Sequence, residues 1–176
     1  RANYEKTLKP FEYFPQPKIT DVHLAVELYP ETRSYEFSGT YNLRNTTDKP
    51  INEIHVQKLM ASHVVLKDVV FEDGAMENTE YEDYDYTIYK LTKPLQPETS
   101  VKMGFKQSFF PKGFDDDNSS TQFVYNGTFF NNSIFPTLGY NRKYELKDDD
   151  ERLKMGLKAR GNKAEIDDVR ELVNAR

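Results

Sequence analysis

The sequence predicts an all-β protein, an antiparallel β-sandwich with a short, partly helical C-terminal tail. Three observations lead there. Apolar and polar residues alternate with a period of two in segment after segment, which places one face of each segment inward. Clusters of turn-forming residues separate these segments at the spacing of sandwich strands, giving about seven or eight strands in all. The chain also holds 12 Tyr and 12 Phe but no Trp, and Tyr and Phe favour the pleated surface of a sheet. The alternate polar rows imply sheets solvated on one side, so antiparallel pairing is expected.

Residues 1–18, "RANYEKTLKPFEYFPQPK", carry Pro10, Pro15 and Pro17. Prolines interrupt a continuous helix and a central strand, so an extended arm packing by Phe11, Tyr13 and Phe14 is expected. In "TDVHLAVELYP", Val22, Leu24, Val26 and Leu28 share one face of a half-buried strand. After "PETRS", Tyr35, Phe37, Gly39, Tyr41 and Leu43 repeat the pattern, and "NTTDKP" turns the chain again. "INEIHVQKL" contributes Ile54 and Val56, and "HVVLKDVVFED" follows. Tyr84, Tyr86 and Ile88 alternate in "DYDYTIYKL", and "TKPLQPETS" connects to a strand bearing Val101, Met103 and Phe105. "PKGFDDDNSS" reads as a loop. "TQFVYNGTFF" reads as a strand with a turn at Asn126-Gly127, and "SIFPTLGYN" ends the sheet region past Pro136. From Glu145 the alternation stops. Asp148 to Asp150 suit the start of a short helix, and Ile166, Val169, Leu172 and Val173 share one helical face further on. The expected organisation is an arm over 1–18, a sandwich over 19–145 and a helical or partly disordered tail over 146–176.

Composition narrows the function classes. The 176 residues suffice for one domain with a core. The net charge of −5 is mildly acidic, and no basic patch of the kind that binds nucleic acid is visible. There is no cysteine, which excludes disulfides and thiolate metal sites. No apolar run approaches the roughly 20 residues that span a bilayer, and no signal peptide is visible. The first residue is Arg1 rather than Met, as expected of an excised or processed piece.

Four segments, taken in order, carry a family resemblance. "VHLAVELYPETRSYEFSGTYNLRN" is similar to the opening pair of strands of the N-terminal β-sandwich domain of M1-family zinc aminopeptidases. "YTIYKLTKPLQPETSVKMGF" resembles that domain's strand, P-L-x-P turn and strand. "STQFVYNGTFFNNSIFP" sits where the family's last strands approach the cleft, and Phe135-Pro136 is similar to the start of the family's crossing into the catalytic domain. The resemblance spans roughly residues 20–145. Within the family, "NGTFFNNSIFPTLGYNRKYEL" resembles a bacterial branch fused to an ABC-transporter permease, whose sandwich faces the extracytoplasmic side. The chain departs from the pattern at Thr137-Leu138-Gly139-Tyr140, where members carry Cys-x-Asp-Glu, and at Val124, where an acidic residue follows the Thr-Gln pair. By resemblance, Gln122 is the residue expected to touch a substrate amine.

"DGAMENTE" contains the pentapeptide Gly74-Ala75-Met76-Glu77-Asn78, which spells the family's amine-binding signature. In the family it belongs to the catalytic domain; here it precedes "TKPLQP" and the Phe135-Pro136 crossing. Asp73-Gly74 is a strong turn dipeptide, so a hairpin or longer surface loop is expected. The family's zinc comes from His-Glu-x-x-His on a helix. The three histidines here, His23, His55 and His63, are not followed by Glu and do not stand at i, i+4 spacing. Asp115-Asp116-Asp117-Asn118 lacks the spacing of a calcium loop and is expected to be a solvated acidic loop. Tyr81, Tyr84, Tyr86 and Tyr89 among Glu80, Glu82, Asp83 and Asp85 are expected to fill the core while the acids face water. Asn45, Asn118, Asn126 and Asn131 each begin a glycosylation sequon.

The expected function is a non-catalytic N-terminal domain of an M1 aminopeptidase-like protein. It would pack on a downstream zinc-peptidase domain of the same polypeptide and wall its substrate cleft, with peptide as the substrate of the whole. The chain itself is expected to hold no metal and to catalyse nothing, zinc belonging to the downstream domain. No nucleic-acid partner is expected, and a membrane only through segments absent from this sequence. The expected compartment is extracytoplasmic, with the cytoplasm as the alternative. The competing function is a free-standing sandwich that binds a carbohydrate or a protein.

Overall fold

The computed structural model describes residues 1–110, 123–124, 127–128 and 132–160. A helix α1 (Ala2–Leu8) leads into a 3-10 turn (Lys9–Phe11), followed by strands β1 (Lys18–Tyr29), β2 (Ser34–Arg44), β3 (Ile51–Gln57), β4 (Val64–Phe71), β5 (Ala75–Asn78), β6 (Tyr86–Leu95), β7 (Ser100–Phe109), β8 (Phe123–Val124), β9 (Gly127–Thr128) and β10 (Thr137–Leu138), and by helix α2 (Asp149–Lys154). One antiparallel sheet has the order β1-β2-β7-β4 and a second has β10-β3-β6-β5, while β8 pairs with β9. The expected all-β antiparallel sandwich is what forms.

The two sheets close on a core that the alternation anticipates. Tyr41 and Leu43 from β2, Val101, Met103 and Phe105 from β7 and Phe71 from β4 meet Ile54 and Val56 from β3 and Tyr89 and Leu91 from β6. A second cluster of Tyr35, Phe37, Val64, Phe109 and Ile134 fills one end. Tyr41 donates its hydroxyl to the carbonyl of Pro136 at 3.1 Å, which fixes the run into β10 against the first sheet. Gly39 lies directly opposite Phe105 across the β2–β7 pair. A side chain at Gly39 would overlap the Phe105 ring and approach Leu24 Cδ2 at 2.9 Å. The glycine is therefore the space into which that ring packs.

Three expectations change. The lead is helical over Ala2–Leu8 rather than extended, because this stretch ends before Pro10 and Pro10 sits at the start of the following 3-10 turn. Tyr4 and Leu8, one turn apart, bury completely with Tyr86, Ile88 and Tyr144. That layer covers the outer face of the second sheet, so β6 is buried on both sides: Tyr86 and Ile88 outward, Tyr89 and Leu91 inward. Tyr84 lies in a 3-10 turn (Glu82–Tyr84) before the strand, and β6 itself runs on through Pro94 to Leu95. Finally, β1 is not half-buried. Leu24 is half-covered, but Val22 is 50% exposed and Val26 and Leu28 are each 40% exposed.

The C-terminal part folds back on α1. Asp148 caps α2 by accepting from Glu151 N at 2.9 Å, as its position before two further acids implies. Arg152 makes a two-pronged ion pair with Glu5, at 2.7 Å on each prong, and both side chains are buried. Glu145 accepts from Lys9, Arg160 and Tyr140. Burial raises the carboxyl's pKa, but these three donors outweigh it and hold the group at about 2. The Ile166, Val169, Leu172 and Val173 face lies outside the described residues.

Candidate binding cleft between the sheets

β4 does not run straight along β7. Its register shifts between Lys67 and Val70, and Asp68 takes a left-handed backbone conformation (φ 53°). Such a bulge bends an edge strand away from its partner. β5, four residues long, forms the neighbouring edge of the other sheet. Between these edges lies a cleft of about 370 Å³. Val56, Leu66, Val69 and Tyr89 supply its apolar lining, with Lys58, Asp68, Glu77, Glu82 and Asp85 around them.

The polar groups of the cleft are ordered. Lys58 Nζ pairs with Asp85 Oδ1 at 2.6 Å and donates to the Val64 carbonyl at 3.0 Å. Tyr89 donates its hydroxyl to Glu77 Oε1 at 2.9 Å. Burial, helped by that carboxylate, pushes the Tyr89 phenol well above its ordinary value, so it remains a donor. Asp68 pairs with Lys106 at 3.0 Å. This set offers apolar contact, hydrogen-bond donors and carboxylates to a small polar molecule.

The pentapeptide 74–78 therefore has a definite place. Gly74 makes the turn with φ 80°, and Ala75 to Asn78 form β5, paired with Leu91 to Ile88 of β6. It is an edge strand rather than a loop. Its Glu77 faces the cleft, while Met76 is 72% exposed. Sequence reasoning missed the cleft itself. The local signal was the Lys67-Asp68 interruption inside an otherwise apolar run, which marks the bulge.

The three histidines are not assembled. His23 lies exposed on β1, and His63 sits in the turn before β4 with φ 64°. His55 is completely buried on β3. Its Nδ1 is 2.7 Å from the Tyr86 hydroxyl and its Nε2 is 3.1 Å from Glu53 Oε1. Phe14 stacks on the ring at 4.7 Å and Phe11 meets it edge-on at 5.0 Å. Gln16 Oε1 accepts from the His55 backbone N–H at 2.8 Å. The neutral ring satisfies every partner, with Nε2–H donating to Glu53 and Nδ1 accepting from Tyr86. No solvent reaches it, so this is a clamp that fastens the N-terminal segment to the second sheet. Among the described residues no three His, Cys, Asp or Glu side chains are grouped to hold a metal ion.

Burial lowers the His55 pKa below its usual 6.5 in the folded chain, and the Glu53 carboxylate opposes that shift without reversing it. The unfolded chain thus binds a proton that the folded one does not in the window below 6.5. This contribution to stability is complete above the unfolded value and is lost as pH falls through the folded one. Urea midpoints are expected to drop as pH falls below the unfolded value, and His55→Asn is expected to flatten that part of the profile. An unchanged slope in the variant would mean other groups carry it.

Gln122 and the Asp115 to Asn118 loop lie outside the described residues, as do the sequons at Asn118, Asn126 and Asn131. Asn45 is fully buried, donating to the Lys49 and Leu95 carbonyls and accepting from Thr47. Its sequon is closed to modification in the folded chain. Tyr86 and Tyr89 are buried, Tyr81 and Tyr84 are half-buried, and Glu80, Glu82 and Asp83 face water.

Solved structures give the external comparison. The fold is similar to part of an M1 zinc metallopeptidase. The protein from Deinococcus radiodurans matches with a TM-score of 0.43 and 12% identity, over 60% of this chain and 24% of that one. A mutant of it bound to a Tyr-Ser-Ala substrate matches equally. A two-domain M1 zinc metallopeptidase mutant bound to L-tryptophan matches with a TM-score of 0.42 and 12% identity, over 62% of this chain and 25% of that one. The present chain thus spans about a quarter of the length of these metallopeptidases. No family model matches the sequence, and no curated protein does.

Proposed function

We propose that the chain is a non-catalytic N-terminal domain of an M1 aminopeptidase-like protein, packing on a downstream zinc-peptidase domain and walling its substrate cleft. The observation that carries this reading is the place of the family-like segments in the fold. The first forms the β1–β2 hairpin, and the second forms β6, a tight turn and β7, crossing from one sheet to the other. Phe135-Pro136 leads into β10, held by the Tyr41 hydroxyl. They are thus framework pieces of one sandwich, in the order that the resemblance gives them. Zinc, in this reading, is held by the downstream domain. Gln122 is the residue proposed to reach a peptide amine there, and the extracytoplasmic side of a bacterial permease fusion is the proposed setting.

The test compares this chain with the product of its longer reading frame. The longer product is expected to contain a His-Glu-x-x-His helix, to hold about one zinc per chain and to release N-terminal residues from peptides. The present chain alone is expected neither to hold zinc nor to release N-terminal residues. Tight zinc binding and peptide trimming by the isolated chain would overturn the proposal. A longer product without such a helix, joined to a glycan-binding or protein-binding activity of the isolated chain, would favour the free-standing binding module instead.

A further inference from the structure

β1 is an edge strand of twelve residues, hydrogen-bonded only to β2 within its sheet. Cross-strand partners share a face, so its rows can be read from the register. Val22, Leu24, Val26 and Leu28 stand opposite Tyr41, Gly39, Phe37 and Tyr35, all on the inner face of the sheet. The irregularity between Ile19 and Asp21 brings Ile19 into the same row, opposite Leu43. Five apolar side chains therefore continue the core face beyond the core. On that side the second sheet ends in β10, which has two residues, so among the described residues little covers the row. Natural edges of this length are usually broken by proline, inward charges or a covering element. Among the described residues this row has none of these.

The outer row has a second property. Glu27 stands directly opposite Glu36, Asp21 follows on the same face, and Glu31 lies in the adjoining turn. None of these four carboxylates takes part in an ion pair among the described residues. Like charges directly opposite one another destabilise a strand pair. Among the described residues the edge thus combines a strand side with no pairing partner, an apolar row with little cover and an acidic row without an ion pair.

We propose that β1 is a docking edge for an extended segment of another polypeptide in which apolar residues alternate with Lys or Arg. Such a strand would pair with the open edge of β1. Its apolar residues would lie beside Val22, Val26 and Leu28, and its cations beside Asp21 and Glu27, with Glu36 one strand further in. A second copy of this chain meets a like-charge conflict in the register centred on Leu24. Antiparallel pairing of two β1 strands about Leu24 sets Asp21 against Glu27 twice over. The inference stands on β1 alone and holds whether or not a peptidase domain follows.

A fluorescein-labelled, end-blocked peptide of alternating valine and lysine, about ten residues long, is the probe. Fluorescence anisotropy is expected to show binding at least about tenfold tighter than that of the valine–glutamate counterpart, weakening as salt rises. Val26→Lys, at an exposed position, is expected to weaken binding at least about tenfold while circular dichroism stays unchanged. Glu27→Lys is expected to weaken it as well. Val70→Lys, on the opposite edge, is expected to leave binding as it was. Hydrogen exchange is expected to slow on β1 when the peptide binds. Equal binding of the two peptides, loss of binding in Val70→Lys rather than Val26→Lys, or self-association of the chain that Val26→Lys abolishes would each overturn the proposal.

Discussion

Replacing Gly39 by valine is expected to lower the stability of the chain by at least about 3 kcal/mol, the upper end of what overpacking costs. The glycine sits in the middle of β2, buried, with the Phe105 ring occupying the volume a side chain would need. Phe105 cannot step aside, because it is buried between the sheets and meets Tyr41 edge-on at 4.8 Å. Leu24 closes the third side. For a chain of this size the loss corresponds to a fall in Tm of roughly 6–12 °C. Urea unfolding should show it as a lower midpoint with an unchanged slope. Phe105→Leu in the same background should recover part of the loss, since the smaller side chain vacates the contested space. A Gly39→Val chain with the parent's midpoint would show that the ring is not held where the packing places it.

The second large effect is expected at the Glu5–Arg152 pair. Arg152 also donates to the Leu146 and Lys158 carbonyls, so its guanidinium joins α1, α2 and the segments on either side of α2. Arg152→Ala leaves Glu5 shielded from water with no cation. Removing one partner of a buried pair costs about 3–5 kcal/mol in a deep interior. This pair lies in the outermost layer of the molecule, so about 2–3 kcal/mol is expected. Glu5→Leu combined with Arg152→Met should cost less than Arg152→Ala, because no lone charge is left behind. Urea midpoints of the single and double variants measure the coupling, and hydrogen exchange should show α1 opening first. Additive losses would mean that the two side chains do not act as a unit.

Much of this architecture is legible from alternation. The inward rows of β2 and β7 were readable residue by residue, because one face of each is buried and the other wet. β6 was harder, since α1 and the Tyr144 segment bury its outer face as well, and a strand covered on both sides loses its period. β1 misled in the opposite sense. Its apolar row is as regular as that of β2, yet whether a row is covered depends on the length of β10, a tertiary fact that local pattern does not carry. The three prolines of the lead suggested an extended arm, but Pro10 stands after the helix rather than inside it. At the candidate cleft, Glu77 drew notice through its pentapeptide, whereas Lys58 and the Asp68 bulge did not. Their roles come from the meeting of two sheet edges far apart in sequence.

Because the chain passes back and forth between the two sheets, no contiguous stretch of it completes either one. β2 waits for β7, and β3 waits for β6 and then β10. A nascent chain leaving the ribosome must therefore carry the β1–β2 hairpin unmated until most of the sandwich has been synthesised. Non-local pairing of this kind makes folding slow, and the long delay leaves the second edge of β2 open to any strand nearby. The timing of synthesis, and not the finished structure alone, decides which strand reaches that hairpin first.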